Sequence, residues 1–185
     1  IGKAFIQCDS LETINVPDGS MLTTIGDDAF SSNRRLKHFN FEGTSQLTTI
    51  KKNAFANLTR IESFNMPKTV ANIELNAFSG CSKLAQASFD ADAVIKVIGA
   101  GSFADCGLQN FTVPANVQKI EREAFRNCAA LATINVSEAT TDISPEAFKY
   151  CNNLTAINVS KKNTTYSSVD GYLLSKDKKT LLIFP

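Results

Sequence analysis

Five cysteines are the residues of this chain whose type and spacing most readily suggest chemistry, because thiols form disulfides and bind zinc. All five occupy one position of a repeated pattern, three residues after a phenylalanine: Cys8, Cys81, Cys106, Cys128 and Cys151. Two further copies have Asn33 and Leu58 at that position. Neither a disulfide nor a metal ligand survives replacement by leucine, and no cysteine pairs occur at the spacing of a zinc site. We therefore predict buried, free thiols and no metal site.

His38 is the single histidine of the chain, and it lies beside Phe39 in a segment with strand-like alternation. Nucleophilic catalysis through histidine requires a base, a nucleophile and an orienting group that converge. The sequence offers no nucleophile motif, phosphate-binding loop, HExxH motif or calcium-loop spacing. We expect His38 to be an exposed strand residue, and we predict no catalytic residue and no cofactor.

Asparagine also recurs in Asn-x-Ser/Thr sequons, which accept glycans in secreted eukaryotic proteins. Repetition of a polar strand position generates such matches without any glycosylation. The sequons begin at Asn57, Asn110, Asn135, Asn153, Asn158 and Asn163.

The composition excludes several classes of function. The chain has 185 residues, of which 43% are apolar and 20% charged, and its formal net charge is +1. This apolar fraction suffices for a core, so the chain is not disordered. A nucleic-acid or membrane-surface protein would need a basic excess. No apolar run approaches the roughly 20 residues of a membrane span. We expect neither nucleic-acid binding nor membrane insertion.

One repeated element positions these side chains. Its landmark is a phenylalanine, preceded by alanine in six of seven copies, at Phe5, Phe30, Phe55, Phe78, Phe103, Phe125 and Phe148. A period between 20 and 30 residues is typical of a solenoid. Each copy contains a segment with alternating apolar residues, such as Ile14-Asn-Val16, which predicts a strand. The predicted strands, 13–16, 38–41, 63–66, 86–89, 110–113, 133–136 and 156–159, should stack into one parallel sheet of a right-handed solenoid.

Each copy contains two further segments besides the longer strand. Thr-rich segments such as Leu22–Ile25 and Leu47–Ile50 favour a second, shorter strand. The Ala-Phe-x-x-Cys segment has helical spacing over one to two turns, so we expect a short helix or 3₁₀ turn opposite the sheet. From the last strand position to the next isoleucine the count is nine residues in three copies and seven in the other three. This difference places the length variation in surface loops.

The pattern L-x-x-I-x-V-P followed by I-x-x-x-A-F-x-x-C is similar to the BspA-like class of leucine-rich repeats. The resemblance covers residues 1–159 and keeps several columns in register over seven copies. It implies a leucine-rich-repeat superhelix over residues 1–162. Residues 163–185 resemble the hairpin coil found in such arrays. In that segment, two β-prone runs, 171–175 and 180–184, flank the polar turn Lys176-Asp-Lys-Lys179.

The exposed face of the strand ladder is the candidate binding site, because solenoids commonly bind partners on their concave side. Residues that alternate with the buried columns point out of the sheet and are nearly all uncharged and polar. The candidate binding residues are Asn15, His38, Asn40, Asn65, Gln86, Ser88, Asn110, Thr112, Thr133, Asn135 and Asn158. The face lacks the aromatic anchors typical of interface hot spots. A plain solvated sheet is therefore the alternative interpretation.

The resemblance implies a non-enzymatic binding or adhesion module of a cell-surface or secreted protein, with host proteins such as fibronectin or fibrinogen as partners. A passive spacer that displays other domains is the alternative. An enzyme is disfavoured by the lack of a convergent acid, base or metal set. We expect a monomer. These 185 residues contain no signal-peptide pattern. Because the chain begins inside a repeat, at Ile1-Gly-Lys-Ala-Phe5, we expect it to be part of a longer protein.

Overall fold

Seven longer strands form one face of the protein, and six two-residue strands form a second row. The computed structural model describes residues 5–6, 8 and 10–185, so residues 1–4 of the first repeat lie outside it. The longer strands are β1 (Thr13–Val16), β3 (His38–Phe41), β5 (Ser63–Met66), β7 (Gln86–Phe89), β9 (Asn110–Thr112), β11 (Thr133–Val136) and β13 (Ala156–Val159). The shorter strands are β2 (Thr24–Ile25), β4 (Thr49–Ile50), β6 (Asn72–Ile73), β8 (Val97–Ile98), β10 (Lys119–Ile120) and β12 (Asp142–Ile143).

The seven longer strands confirm the predicted positions, apart from β9, which ends one residue earlier than predicted. They pair in parallel with equivalent residues side by side, for example Asn135 beside Asn158. The prediction of one continuous ladder is wrong. The strands form three sheets, β1-β3, β5-β7 and β9-β11-β13, with breaks between β3 and β5 and between β7 and β9. The second row is also parallel, in the sheets β2-β4-β6 and β8-β10-β12. The right-handed sense of the solenoid stays a prediction.

The Ala-Phe segments are turns, and the predicted short helices are wrong, because no helix occurs in the part of the chain that the structure describes. Left-handed backbone two residues before and after the phenylalanine prevents a helix, since a helix needs consecutive right-handed residues. In the third coil these residues are Asn53 (φ 54°) and Asn57 (φ 61°). Asparagine, aspartate or glycine takes most of the equivalent positions, as expected for this conformation.

Backbone hydrogen bonds between coils replace the bonds that a helix would make. In the third coil the N–H groups of Asn53, Phe55 and Asn57 donate to carbonyls of the fourth coil over 3.1, 2.8 and 2.7 Å. The intervening N–H groups of Ala54 and Ala56 bond within the same coil, to the residue three positions earlier. Each Ala-Phe segment is thus a rung of a third ladder that ties successive coils together.

Stacked phenylalanine rings run through the centre of the array. The rings of Phe78, Phe103 and Phe125 are within 18° of parallel with their stacked neighbours, and their centroids lie 5.5 Å and 5.8 Å apart. Phe103 is fully buried, whereas Phe5 in the first repeat is 43% exposed. The alanine that precedes the phenylalanine in most coils is enclosed by neighbouring coils: Ala54, Ala77 and Ala124 are completely buried.

Ser102 replaces this alanine in the fifth coil and is the one buried side chain among the described residues whose hydroxyl lacks a hydrogen-bond partner. Burial of an unpaired hydroxyl costs about 1–3 kcal/mol. We therefore predict that Ser102→Ala raises the free energy of unfolding by about 1 kcal/mol, measured by denaturant titration. Ser82→Ala removes an exposed hydroxyl and should leave the stability unchanged. A loss of stability in Ser102→Ala would show that the hydroxyl has a partner.

The chain ends in an antiparallel sheet of β14 (Tyr166–Val169), β15 (Tyr172–Ser175) and β16 (Leu181–Ile183). β15 and β16 correspond to the two predicted runs, and β14 was not predicted as a strand. The buried amide of Asn163 joins this sheet to the repeats: its Nδ2 donates to the carbonyls of Ser137 and Thr140, both at 2.8 Å. Its Oδ1 accepts the N–H groups of Thr165 and Tyr166. This sequon asparagine is therefore a structural residue whose side chain is fully engaged.

Tyr166 closes the second row of strands. Its hydroxyl accepts the N–H of Ile143 over 3.1 Å and donates to the carbonyl of Thr141 over 3.2 Å. A further coil would supply such partners from its backbone, so the tyrosine substitutes for a rung of the ladder.

Candidate binding face

The thiols are structural groups of the turn segments. All five cysteines are free; Cys8 is half-buried, and the other four are buried. Each buried thiol donates to the carbonyl of the phenylalanine in the preceding coil, for example Cys81 to Phe55 over 3.1 Å and Cys128 to Phe103 over 3.0 Å. Asn33 makes the equivalent bond through its Nδ2, 2.7 Å from the carbonyl of Phe5. Six of the seven residues in this column thus carry a donor, and Leu58, which is fully buried, fills the position without one.

Burial also keeps the thiols of Cys106 and Cys128 protonated. Burial raises the pKa of Cys106 well above its usual range, and the adjacent thiol of Cys81 adds to the effect. The hydrogen bond with Cys151, followed by burial, raises the pKa of Cys128. Because the thiolate is the reactive form, Cys106 and Cys128 are poor nucleophiles. The hydrogen bond between Cys128 and Cys151 lowers the pKa of the Cys151 thiol. No group of three or more His, Cys, Asp or Glu side chains placed to hold a metal ion occurs among the described residues.

We predict that a thiol reagent titrates the native protein slowly, with Cys8 reacting first, and titrates five thiols after denaturation without reductant. The reason is the burial of the other four thiols. Cys8→Ser should remove the early phase and leave four thiols. Fewer than five thiols in the denatured wild type would show a disulfide.

The strand face carries all eleven candidate binding residues. Ten are exposed and Thr133 is half-buried, and each alternates along its strand with a residue of the core. His38 is among the exposed ones. The face is therefore a neutral polar surface that spans seven coils.

Side chains on this face bond to one another across coils. The Nδ2 of Asn40 donates to Asn15 over 2.9 Å, and that of Asn158 donates to Asn135 over 3.1 Å. Asn135 in turn donates to Thr112 over 3.2 Å. Ser88 donates to Asn65, and Thr133 donates to Asn110. These hydrogen bonds occupy some of the amide and hydroxyl groups that a binding partner could otherwise contact.

The ladders stop where the backbone sheets stop. Within residues 10–185, no side-chain bond joins Asn40 to Asn65 or Ser88 to Thr112, the pairs that face each other across the two breaks. A groove opens beside each break. The groove beside β7 and β9 has a volume of about 680 Å³ and is lined by Gln86, Ser88, Asn110 and Thr112 together with the loops that follow the strands. The groove beside β3 and β5 is smaller, about 250 Å³.

Each break follows a phenylalanine at the last strand position. Phe41 and Phe89 are half-buried there, whereas Met66 and Val113 in the following coils are buried. The ring of Phe41 contacts Phe64 edge-on, with centroids 6.2 Å apart, and Phe89 contacts Phe111 in the same way at 6.1 Å. Both breaks thus coincide with a large aromatic side chain at the last strand position. The loop after each phenylalanine is also two residues longer than the loop of the next coil.

Charged groups concentrate on other parts of the surface. Arg126 pairs with Asp105 at 2.6 Å, and Lys119 lies 3.5 Å from Asp142. Arg122 also pairs with Glu146. These pairs join neighbouring coils along the turn segments and the short strands. The pairs of Lys119 and Arg122 contribute little to stability because they are exposed, whereas Arg126 and Asp105 are half-buried.

Sequence comparison supports this architecture. A model of the BspA-type leucine-rich repeat region matches residues 2–128 and 86–172, in six copies. The two matches together cover nearly all of the chain. The protein belongs to the BspA-type leucine-rich repeat family. No curated protein sequence shows significant similarity to it.

Solved structures of bacterial leucine-rich repeat proteins are similar to this BspA-type chain. The pneumococcal vaccine antigen PcpA is 25% identical, with a TM-score of 0.63 over 94% of this chain and 36% of the antigen. A Treponema pallidum leucine-rich repeat protein is 26% identical, with a TM-score of 0.73 over 80% of this chain and 69% of that protein. A Eubacterium ventriosum leucine-rich repeat protein shares the fold, with 19% identity and a TM-score of 0.76 over 98% of this chain and 47% of that protein.

The chain thus spans less than half of the pneumococcal and Eubacterium proteins. Leucine-rich-repeat solenoids typically present extended surfaces for binding proteins. The part of the chain that the structure describes has no helix long and apolar enough to cross a membrane.

Proposed function

We propose that this BspA-type array is a protein-binding module of a cell-surface or secreted protein, and that its strand face contacts the partner. The observation that carries the proposal is the row of exposed, neutral polar side chains that recurs in all seven coils, bordered by open grooves. The family and the resemblance to a pneumococcal antigen support a surface location. Host matrix proteins such as fibronectin or fibrinogen are the partners that the family suggests.

Affinity on such a face comes from many modest polar contacts, because large aromatic anchors are absent from its outward positions. Binding by one module is therefore weak. Display of many copies on a surface strengthens it, because the second contact forms at a high effective concentration.

The test measures capture on immobilised fibronectin and fibrinogen, with monomeric and bead-displayed protein. We predict weak capture of the monomer and strong capture of the beads. The triple variant Asn65→Lys, Thr112→Lys and Asn135→Lys should weaken capture at least about tenfold, equivalent to about 1.4 kcal/mol, without loss of fold. A control variant carries lysines at the exposed positions Ser82, Ala129 and Asn152, outside the strand face. Equal losses in both variants would contradict a role for the face.

A passive spacer is the second candidate, and the side-chain ladders favour it. Asn135 uses its Nδ2 on Thr112 and its Oδ1 on Asn158. A face whose polar groups satisfy one another gains less from a partner. Absence of capture in both formats would select this alternative.

A further inference from the structure

The larger groove, beside the break between β7 and β9, combines features that favour one kind of ligand. Its volume of about 680 Å³ lies within the range of ligand-binding clefts. Apolar lining comes from Phe89, Val113 and Pro114. Ser88 and Thr112 line the same groove, and no side-chain bond joins them across the break. The Ser88 hydroxyl donates to Asn65 and can still accept a hydrogen bond. The Thr112 hydroxyl accepts from Asn135 and can still donate one. A ligand can therefore cover apolar surface and use this remaining capacity.

The charges at the groove have one sign. Asp90 and Glu138 line it, and its lining contains no lysine, arginine or histidine. Asp90 has no ion-pair partner among the described residues. Glu138 lies 3.9 Å from Lys162, but both side chains are more than half exposed, so this pair is weak. Two carboxylates beside an apolar floor attract a cation whose stem is apolar, such as lysine or arginine.

We infer that the β7/β9 groove binds an extended peptide segment with lysine or arginine side chains. The inference rests on the proposed function and specifies the chemistry of its partner. The apolar floor holds the peptide and the aliphatic stems, Ser88 and Thr112 hydrogen-bond its backbone, and Asp90 and Glu138 receive its cations. The smaller groove attracts a cation less strongly, because it is lined by Lys68 as well as Asp90.

The experiment uses the whole chain, labelled with ¹⁵N, and three synthetic heptapeptides that alternate valine with lysine, glutamate or glutamine. At low ionic strength we expect the Lys-Val peptide to shift the amide signals of Ser88, Thr112 and Ala115 and to bind at least about tenfold more tightly than the Glu-Val peptide. The Gln-Val peptide should bind with intermediate affinity, and added salt should weaken binding of the Lys-Val peptide.

A double variant, Asp90→Asn with Glu138→Gln, should reduce the affinity for the Lys-Val peptide at least about tenfold. The control is Asp92→Asn, which removes a nearby carboxylate outside the groove lining; a hydrogen bond from Lys68 lowers the pKa of Asp92. Equal binding of the Glu-Val peptide, shifts away from the groove, or an equal loss in Asp92→Asn would overturn the inference.

Failure here is distinguishable from failure of the proposed function. If lysines on the strand face abolish capture of the matrix proteins but the Lys-Val peptide does not bind, the groove inference fails and the proposed function stands. If the peptide binds the groove but lysines on the strand face leave capture of the matrix proteins unchanged, the proposed function fails and the groove inference stands.

Discussion

Replacement of Phe103 by alanine is expected to lower the free energy of unfolding by about 3–5 kcal/mol, the usual range for a buried phenylalanine. The ring is fully buried and stacks on Phe78 and Phe125, and it also contacts Phe111 at 5.6 Å. Its loss leaves a cavity between two coils that both depend on it. Each repeat of a solenoid is stabilised chiefly by its neighbours, so damage in the middle affects the whole array. Denaturant titration measures the effect.

Phe5→Ala is the matched control. Phe5 stacks on Phe30 with centroids 5.3 Å apart, but its side chain is 43% exposed. Phe5→Ala therefore removes less buried apolar surface than Phe103→Ala and should lower the free energy of unfolding clearly less. Equal losses for the two substitutions would contradict an array in which stacking on both sides stabilises the central coils.

Asn163→Ala is expected to cost about 3–5 kcal/mol and to detach the C-terminal sheet first. The substitution removes four hydrogen bonds, and each buried backbone group left without a partner costs about 1–3 kcal/mol. All three tyrosines, Tyr150, Tyr166 and Tyr172, lie in or beside this region, and the chain has no tryptophan. Tyrosine fluorescence therefore reports on its unfolding.

In the Asn163→Ala variant the fluorescence transition should precede the circular-dichroism transition of the repeats, because repeat arrays unfold in local units. Asn152→Ala changes an exposed asparagine nearby and should leave both transitions in place. Coincident transitions with unchanged midpoints in Asn163→Ala would show that this amide does not hold the sheet to the repeats.

The long strands could be predicted because their alternation reflects burial directly. Ile134 and Val136 are buried and Asn135 is exposed, so the pattern of the residues is the pattern of the sheet. The breaks between sheets could not be predicted from this alternation, because Phe41 and Phe89 satisfy the apolar pattern as well as valine does. A signal was nevertheless present: each of these phenylalanines precedes a loop that is two residues longer than the next one.

The turn segments were misread because their apolar spacing matches that of a helix. The structure shows that their N–H groups bond to the next coil, and no local pattern contains that information. The residues two positions before and after the phenylalanine held the relevant signal, since Asn53, Asn57 and Asp105 adopt left-handed backbone. The role of Asn163 could not be predicted either, because the sequence Asn163-Thr-Thr does not distinguish a buried structural asparagine from an exposed glycosylation site.

The candidate face was predictable as a surface but not as a set of contacts. Alternation gave the outward direction of residues such as Asn65 and Thr112. The hydrogen bonds between stacked asparagines depend on exact register, and the groove depends on the break between β7 and β9. The chemistry that the groove favours follows from Asp90 and Glu138, which lie in loops outside the repeated columns.

Photo-crosslinking tests the central claim, that the strand face is the binding surface, most directly. Benzoylphenylalanine is placed at Thr112 on the face or at Ala129, an exposed residue outside it, and bead-displayed protein is irradiated on immobilised fibronectin or fibrinogen. The account predicts a crosslinked product from position 112 and none from position 129. Crosslinking from position 129 with none from position 112 would contradict it.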